Sequence, residues 1–196
     1  MPRSPVRAFL AFIAVVVLAA PLGAQEEPPV YHGVLEVLPA AGTIDRLTGA
    51  AVLKVRRWRL RLRDTSNGIA PDAERLLIAV GQGGANDLFL PPGTLVAHRR
   101  GRVFRYRAPR GSVTRGISAI KIVQRSGEYR LSFTLVGVEL SPLLFDKPLC
   151  MPIAVIVGDD DGFSGIEFNS PSFTSRRISV PRSCKIDPDD WPWLGG

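Results

Sequence analysis

The chain has 196 residues, 45% of them hydrophobic, and 25 Lys and Arg stand against 18 Asp and Glu. That much apolar material suits one domain with a real core and excludes a disordered chain. The net charge of +7 is positive with and without the basic start of the chain; such a charge favours contact with polyanions such as envelope glycans, lipid head groups or nucleic acid, and more commonly it simply keeps an exported protein soluble.

Arg3 and Arg7 form a basic start, Ala8–Ala20 is unbroken apolar sequence, and Pro21 ends it before Leu22-Gly23-Ala24. The run is shorter than the about 20 residues a membrane-spanning helix needs and matches the apolar region of a secretory signal peptide over residues 1–24. The expected destination is the periplasm or the cell exterior. Without the leader, 172 residues remain with 23 basic and 18 acidic side chains, a balance of +5. No second apolar segment is long enough to span a membrane. Cys150 and Cys184 are the only cysteines, and an even count in an exported chain reads as a disulfide. Closing a loop of about 35 residues is worth roughly 3–4 kcal/mol.

Residues 25–33 are polar and Pro-rich at their start and read as an extended arm. Strand patterns then recur between Gly, Pro, Asn and Asp. Val34–Leu38 is short and apolar. Arg57–Arg63 alternates strictly, with Trp58, Leu60 and Leu62 on one side and Arg57, Arg59, Arg61 and Arg63 on the other. Leu76, Ile78 and Val80 form the inward set of the next strand. Asp87–Leu90 and Thr94–His98 flank Pro91-Pro92-Gly93, and Arg102–Arg107 alternates again. Ile117–Gln124 and Tyr129–Val138 read as a hairpin across Arg125–Glu128, with Tyr129, Leu131, Phe133 and Leu135 inward. Ile153–Val157 is a β-branched run of the kind found in a central strand. Ile166–Phe168 and Arg177–Val180 are short closing strands. No helical period is sustained outside the leader. The pattern predicts an all-β domain over residues 34–187, an antiparallel β-sandwich of immunoglobulin-like or related Greek-key type, with a tail over 188–196.

Three constellations bear on function. Alternate residues of the Arg57, Arg59, Arg61 and Arg63 row sit about 6.6 Å apart, a spacing that can follow repeated sulfates or phosphates. A structural row paired with acids on neighbouring strands is the competing reading, and Asp64, Asp72 and Glu74 are near in sequence. A second basic cluster, His98–Arg102, reads as an exposed turn. Asp159, Asp160 and Asp161 precede Gly162, so Asp159 and Asp161, with Glu167 as a further oxygen, are candidates for calcium. The spacing fails the EF-hand pattern, and a plain acidic turn explains it as well.

The search for catalytic groups is negative. His32 and His98 are the only histidines, which leaves no histidine-rich zinc site. Gly162-Phe163-Ser164-Gly165 is not a nucleophile elbow, and Gly81-Gln82-Gly83-Gly84 lacks the lysine and helix of a phosphate loop.

The stretch Trp58–Glu74, a basic alternating strand running into Gly68-Ile69-Ala70-Pro71-Asp72-Ala73-Glu74, is similar to the start of an uncharacterised β-rich domain of bacterial exported proteins. Gly158-Asp159-Asp160 and the hairpin around Ile117–Leu135 fit the same resemblance, which spans about Val52–Ile186. It implies a secreted sandwich and no established activity or site residue.

The expected function is a non-catalytic binding or structural module of the cell exterior, contacting an anionic glycan or another envelope protein, with nucleic acid not favoured. The alternative is a secreted polysaccharide hydrolase built on a carboxylate pair, which would need two acids about 5–10 Å apart in a cleft.

Overall fold

In the computed structural model of the chain, the described residues are 30–38, 40–45, 48–81, 86–140, 149–168, 177–180 and 182–185. The expected leader 1–24, residues 25–29 of the expected arm and the expected tail 188–196 lie outside them. The described chain is all β, with no helix. Its strands are β1 (Tyr31–Glu36), β2 (Ala40–Ile44), β3 (Ala50–Arg61), β4 (Leu76–Val80), β5 (Asp87–Leu90), β6 (Val96–His98) and β7 (Val103–Arg107). They continue as β8 (Gly116–Arg125), β9 (Glu128–Glu139), β10 (Leu149–Val157), β11 (Asp160–Phe168), β12 (Arg177–Val180) and β13 (Arg182–Cys184).

The strands form one hydrogen-bonded path, β5-β4-β10-β11-β1-β3-β9-β8-β7-β6, with β2, β12 and β13 attached at its side. The expected two-sheet antiparallel sandwich is replaced here by a single mixed sheet, because β1 runs parallel to β11 and antiparallel to β3. Alternation of side chains shows which residues face the core, but it carries no information on which strands pair. The arm expected over residues 25–33 correspondingly gives way at Tyr31, where β1 begins.

The sheet must curl. Laid flat, ten strands would put its ends about 43 Å apart at the usual strand spacing. Yet β5 and β6 occupy those ends and are joined by residues 91–95, a link that can reach only about 20 Å fully extended. The curl wraps the inner face around one core, in which Leu88 of β5 meets Ile78 of β4, Val155 of β10, Leu60 of β3, Leu131 of β9 and Ile122 of β8 in a single cluster. Trp58 lies at its centre, fully buried, with its ring edge against Phe133 at a centroid distance of 5.2 Å. Its indole Nε1 donates to the Leu38 carbonyl at 2.7 Å, so the one polar atom of the side chain is satisfied.

The hairpin between β8 and β9 is as the alternation predicts. Ser126 and Gly127, both at positive φ, form a two-residue turn, and Tyr129, Leu131, Phe133 and Leu135 are buried. Ile153–Val157 lies in a central strand, as its β-branched run implies, flanked by β4 and β11.

Cys150 of β10 and Cys184 of β13 are bonded, with their Cα atoms 6.0 Å apart. The bond joins strands that both pair with β11. Its double replacement by Ser is expected to lower stability by roughly 3 kcal/mol, because the unfolded chain regains the loop entropy; urea denaturation with and without reductant checks this. A second expectation concerns Gly33 in β1. A Cβ there would lie 2.6 Å from the Arg61 carbonyl oxygen and 2.8 Å from that of Asp161, both backbone atoms of the flanking strands. Gly33→Ala should therefore cost about 2 kcal/mol as β1 is pushed off its neighbours, read as a lowered urea midpoint.

Candidate functional site

The longest basic stretch lies on β3, and a β-bulge decides where its side chains go. Its pairing with β9 slips between Val55↔Phe133 and Trp58↔Leu131, where β3 has one residue more than its partner. Arg57 takes up the extra residue at φ 62°, and its amide donates to Ser132 Oγ at 3.1 Å. The slip reverses the phase of alternation, so that Leu53 and Val55 before it and Trp58 and Leu60 after it all face the core. Lys54, Arg56, Arg59 and Arg61 are left on the outer face.

That face has two halves with different electrostatics. In the half after the bulge, Arg59 Nη1 lies 3.3 Å from Glu36 Oε2, and Arg61 Nη2 lies 3.6 Å from the same oxygen. Arg61 Nε is 3.8 Å from Glu128 Oε2, and Arg130 Nε donates to Glu128 Oε1 at 2.8 Å. The Arg130 hydrogen bond holds the Glu128 carboxyl below its ordinary range; desolvation opposes this, and the charges of Arg130, Arg59 and Arg61 add to it. Of the arginine row read from the sequence, Arg59 and Arg61 are thus partners of Glu36 and Glu128, acids remote in sequence. Arg57 sits in the bulge, and Arg63 lies beyond the end of β3.

The half before the bulge is a trough of about 780 Å³. Register places its parts. One row across the strands runs Lys54, Thr134, Ala119, Arg107, and the next runs through Ser132, Lys121, Arg105 and Val96. Arg56 of β3 and His98 of β6 complete the lining. Five permanent cations therefore face one cavity, with His98 also in the lining and, among the described residues, no carboxylate there. Guanidinium and ammonium groups so gathered suit carboxylate, sulfate or phosphate. The two basic clusters of the sequence meet here only in part. His98 reaches the trough, while Arg99, Arg100 and Gly101 form the exposed turn between β6 and β7, all at positive φ.

Lys54, Arg56, Arg105, Arg107 and Lys121 are not singled out by the sequence. The alternation of Arg105 and Arg107 against Phe104 and Tyr106 signals one exposed basic strand, but the pairing that brings it beside β8, β9 and β3 has no local signature.

The acidic segment is not one turn. Gly158 and Asp159 form the hairpin turn, and Asp160 and Asp161 are already strand residues facing opposite sides of the sheet. Asp159 accepts from Asn67 Nδ2 at 3.0 Å. Asp161 accepts from His32 Nδ1 at 3.0 and 3.1 Å, which requires that nitrogen to carry a proton. Glu167 lies six residues further along β11, about 20 Å away. Asp159 and Asp161, the two calcium candidates, thus each have a nitrogen partner within the protein, and Glu167 is remote from both. Among the described residues no group of three or more His, Cys, Asp or Glu side chains is arranged to hold a metal ion.

Asp160 is fully buried and neither carboxylate oxygen meets a hydrogen-bond donor. Burial pushes its carboxyl above the ordinary range; the Ser66 hydroxyl opposes this without reaching full hydrogen-bond geometry, and the charges of Asp159 and Asp161 reinforce it. Glu74 is raised in the same way by burial, against a hydrogen bond from the Ala70 amide at 2.8 Å, and by Asp159, Asp160 and Asp72.

No family model matches this chain, and neither a curated protein nor a solved structure is significantly similar to it.

A raised carboxyl in the folded state binds its proton more tightly than in the unfolded chain. The resulting destabilisation is complete above the folded value and is relieved as pH falls toward the unfolded one, near 3.8 for Asp. Asp160→Asn is thus expected to stabilise the protein at pH 7 by about 1 kcal/mol and to flatten the part of the stability–pH curve between neutrality and about pH 4. Urea midpoints at pH 7 and pH 5 test it. A variant less stable than the parent at pH 7, with the pH dependence unchanged, would overturn the assignment of this destabilisation to Asp160.

Proposed function

We propose that this chain is an exported, non-catalytic binding module that holds an anionic polysaccharide of the cell exterior in the trough between β3 and β7. The observation that carries the reading is the contrast between the two halves of one sheet face. Where Arg59, Arg61 and Arg130 stand, Glu36 and Glu128 neutralise them. Where Lys54, Arg56, Arg105, Arg107 and Lys121 stand, no acid among the described residues lines the cavity. Two unit charges 7 Å apart repel by about 0.6 kcal/mol even in bulk water. A fold selected for stability alone relieves such repulsion with a glutamate, as the adjoining half does. Cations left together in a concave surface fit a ligand that brings the counter-charge.

Export is part of the proposal. Its support is the leader-like sequence over residues 1–24 together with the Cys150–Cys184 disulfide, which suits an oxidising compartment. Among the described residues no helix is long and apolar enough to cross a membrane. The alternative reading, a polysaccharide hydrolase, calls for two facing carboxylates in a cleft, and the described lining of this trough holds none.

The test is chromatography on an anionic glycan resin such as heparin. Changing Lys54 and Arg105 together to Ser should lower the salt concentration needed for elution, and the slope of log affinity against log salt should fall by about one per cation removed. Changing Arg59 and Arg61 together to Ser should alter retention much less and instead lower stability by about 1 kcal/mol or less, as exposed cross-strand pairs do. Retention governed by Arg59 and Arg61, and indifferent to Lys54 and Arg105, would overturn the assignment.

A further inference from the structure

Resting on the polyanion reading of the trough, we infer that it takes one acidic glycan chain at a time, lying parallel to the strands and held from two walls. The shape follows from which strands carry long side chains. Lys54 and Arg56 rise from β3, and Arg105 and Arg107 rise from β7. Between these strands lie β9 and β8, so the walls are three strand spacings apart, about 14 Å. The floor between them is short on β9, where Ser132 and Thr134 stand, whereas on β8 Ala119 in one row is followed by Lys121 in the next.

The result is a channel whose axis follows the strands. Successive cations on each wall repeat at about 6.6 Å along it, because alternate residues of a strand share a face. A chain laid along this axis meets cations on both of its edges, and the short floor lets its backbone sink between them. A chain laid across the strands would have to ride over two rows of long side chains and leave the floor empty. A flat lipid surface would likewise touch only the tips. Lys121, paired in register with Arg105, adds a cation near the midline, where an acid group turned toward the floor would meet it. The ligand class is a linear polysaccharide bearing carboxylates or sulfates, and hydroxyl groups of its sugar rings face Thr134 and Ser132.

The experiment uses the full chain and isothermal titration with three probes of matched length: a sulfated heparin-derived oligosaccharide, a carboxylated oligouronide and a single-stranded oligonucleotide. Filling the floor without changing charge is the decisive variant. Thr134→Phe, on a strand position that suits an aromatic residue, should weaken binding of the better glycan at least tenfold. Ala119→Leu is the second variant should the first fail to fold, with circular dichroism and melting temperature as the check on both. Stripping either wall alone, Lys54 with Arg56 or Arg105 with Arg107, should weaken binding, and stripping both should weaken it further. The tighter of the two glycans identifies the acid group that the walls select.

If removing cations weakens binding while the floor-filled variants stay within twofold of the parent, the polyanion reading stands and the seated chain is wrong. Dependence on one wall alone overturns the two-wall grip in the same way. If the parent binds neither glycan, or no cation matters, the underlying reading fails. Tighter binding of the oligonucleotide than of both glycans overturns the glycan assignment.

Discussion

The bulge at Arg56–Arg57 in β3 is the constraint on which the rest of the molecule depends. A twelve-residue strand with perfect alternation would put Leu53 and Val55 on one face and Trp58 and Leu60 on the other. All four are fully or nearly fully buried on the same side. Exposing Trp58 and Leu60 would forfeit about 2–3 kcal/mol each, whereas one non-glycine residue in the left-handed region costs about 1 kcal/mol. The slip is the cheaper solution, and the hydrogen bond from the Arg57 amide to Ser132 Oγ keeps the displaced backbone donor satisfied. The core packing of Trp58 against Phe133, and so the joint between β3 and β9, rests on it.

The same slip sets the electrostatics of the outer face. It divides the basic stretch of β3 into Lys54 and Arg56 before it and Arg59 and Arg61 after it. Only the latter pair stands opposite acids, Glu36 on one flanking strand and Glu128 at the start of β9. The former pair faces β8 and β7 across the sheet, where register supplies Lys121, Arg105 and Arg107. One backbone irregularity thus separates a structural charge ladder from a cavity that gathers like charges.

Curvature adds the second condition. The short link from β5 to β6 draws the ends of the sheet toward each other, wraps the inner face around one apolar cluster and leaves β6 and β7 as the far wall of the trough. The middle of the sheet is closed by β1, a strand from the start of the described chain inserted between β3 and β11. Its fit is tight at Gly33, and His32 anchors it to Asp161 on the outer face. Pairings between residues this remote in sequence can form only after much of the sheet is in place, which makes slow folding and disulfide closure natural companions.

Most strands, the hairpin at Ser126-Gly127, the inward sets on β4 and β9, the central run Ile153–Val157 and the all-β class were legible along the chain, because each is written in the pattern of neighbouring residues, whereas β2, β13 and the first half of β3 carry too weak an alternation to be read. The pairing of Cys150 with Cys184 was legible by count alone. The parallel insertion of β1, the union of all strands in one curled sheet and the phase slip in β3 were not, since each is settled by contacts between residues far apart in sequence. For the site, the arginine row was visible and its fate was not: local alternation marks Arg59 and Arg61 as exposed but cannot place Glu36 and Glu128 beside them. Lys54, Arg56, Arg105, Arg107 and Lys121 lie on three strands with no common motif. Charge and periodicity are properties of the chain, whereas a cavity belongs to the register between strands, which the packing of the apolar core decides.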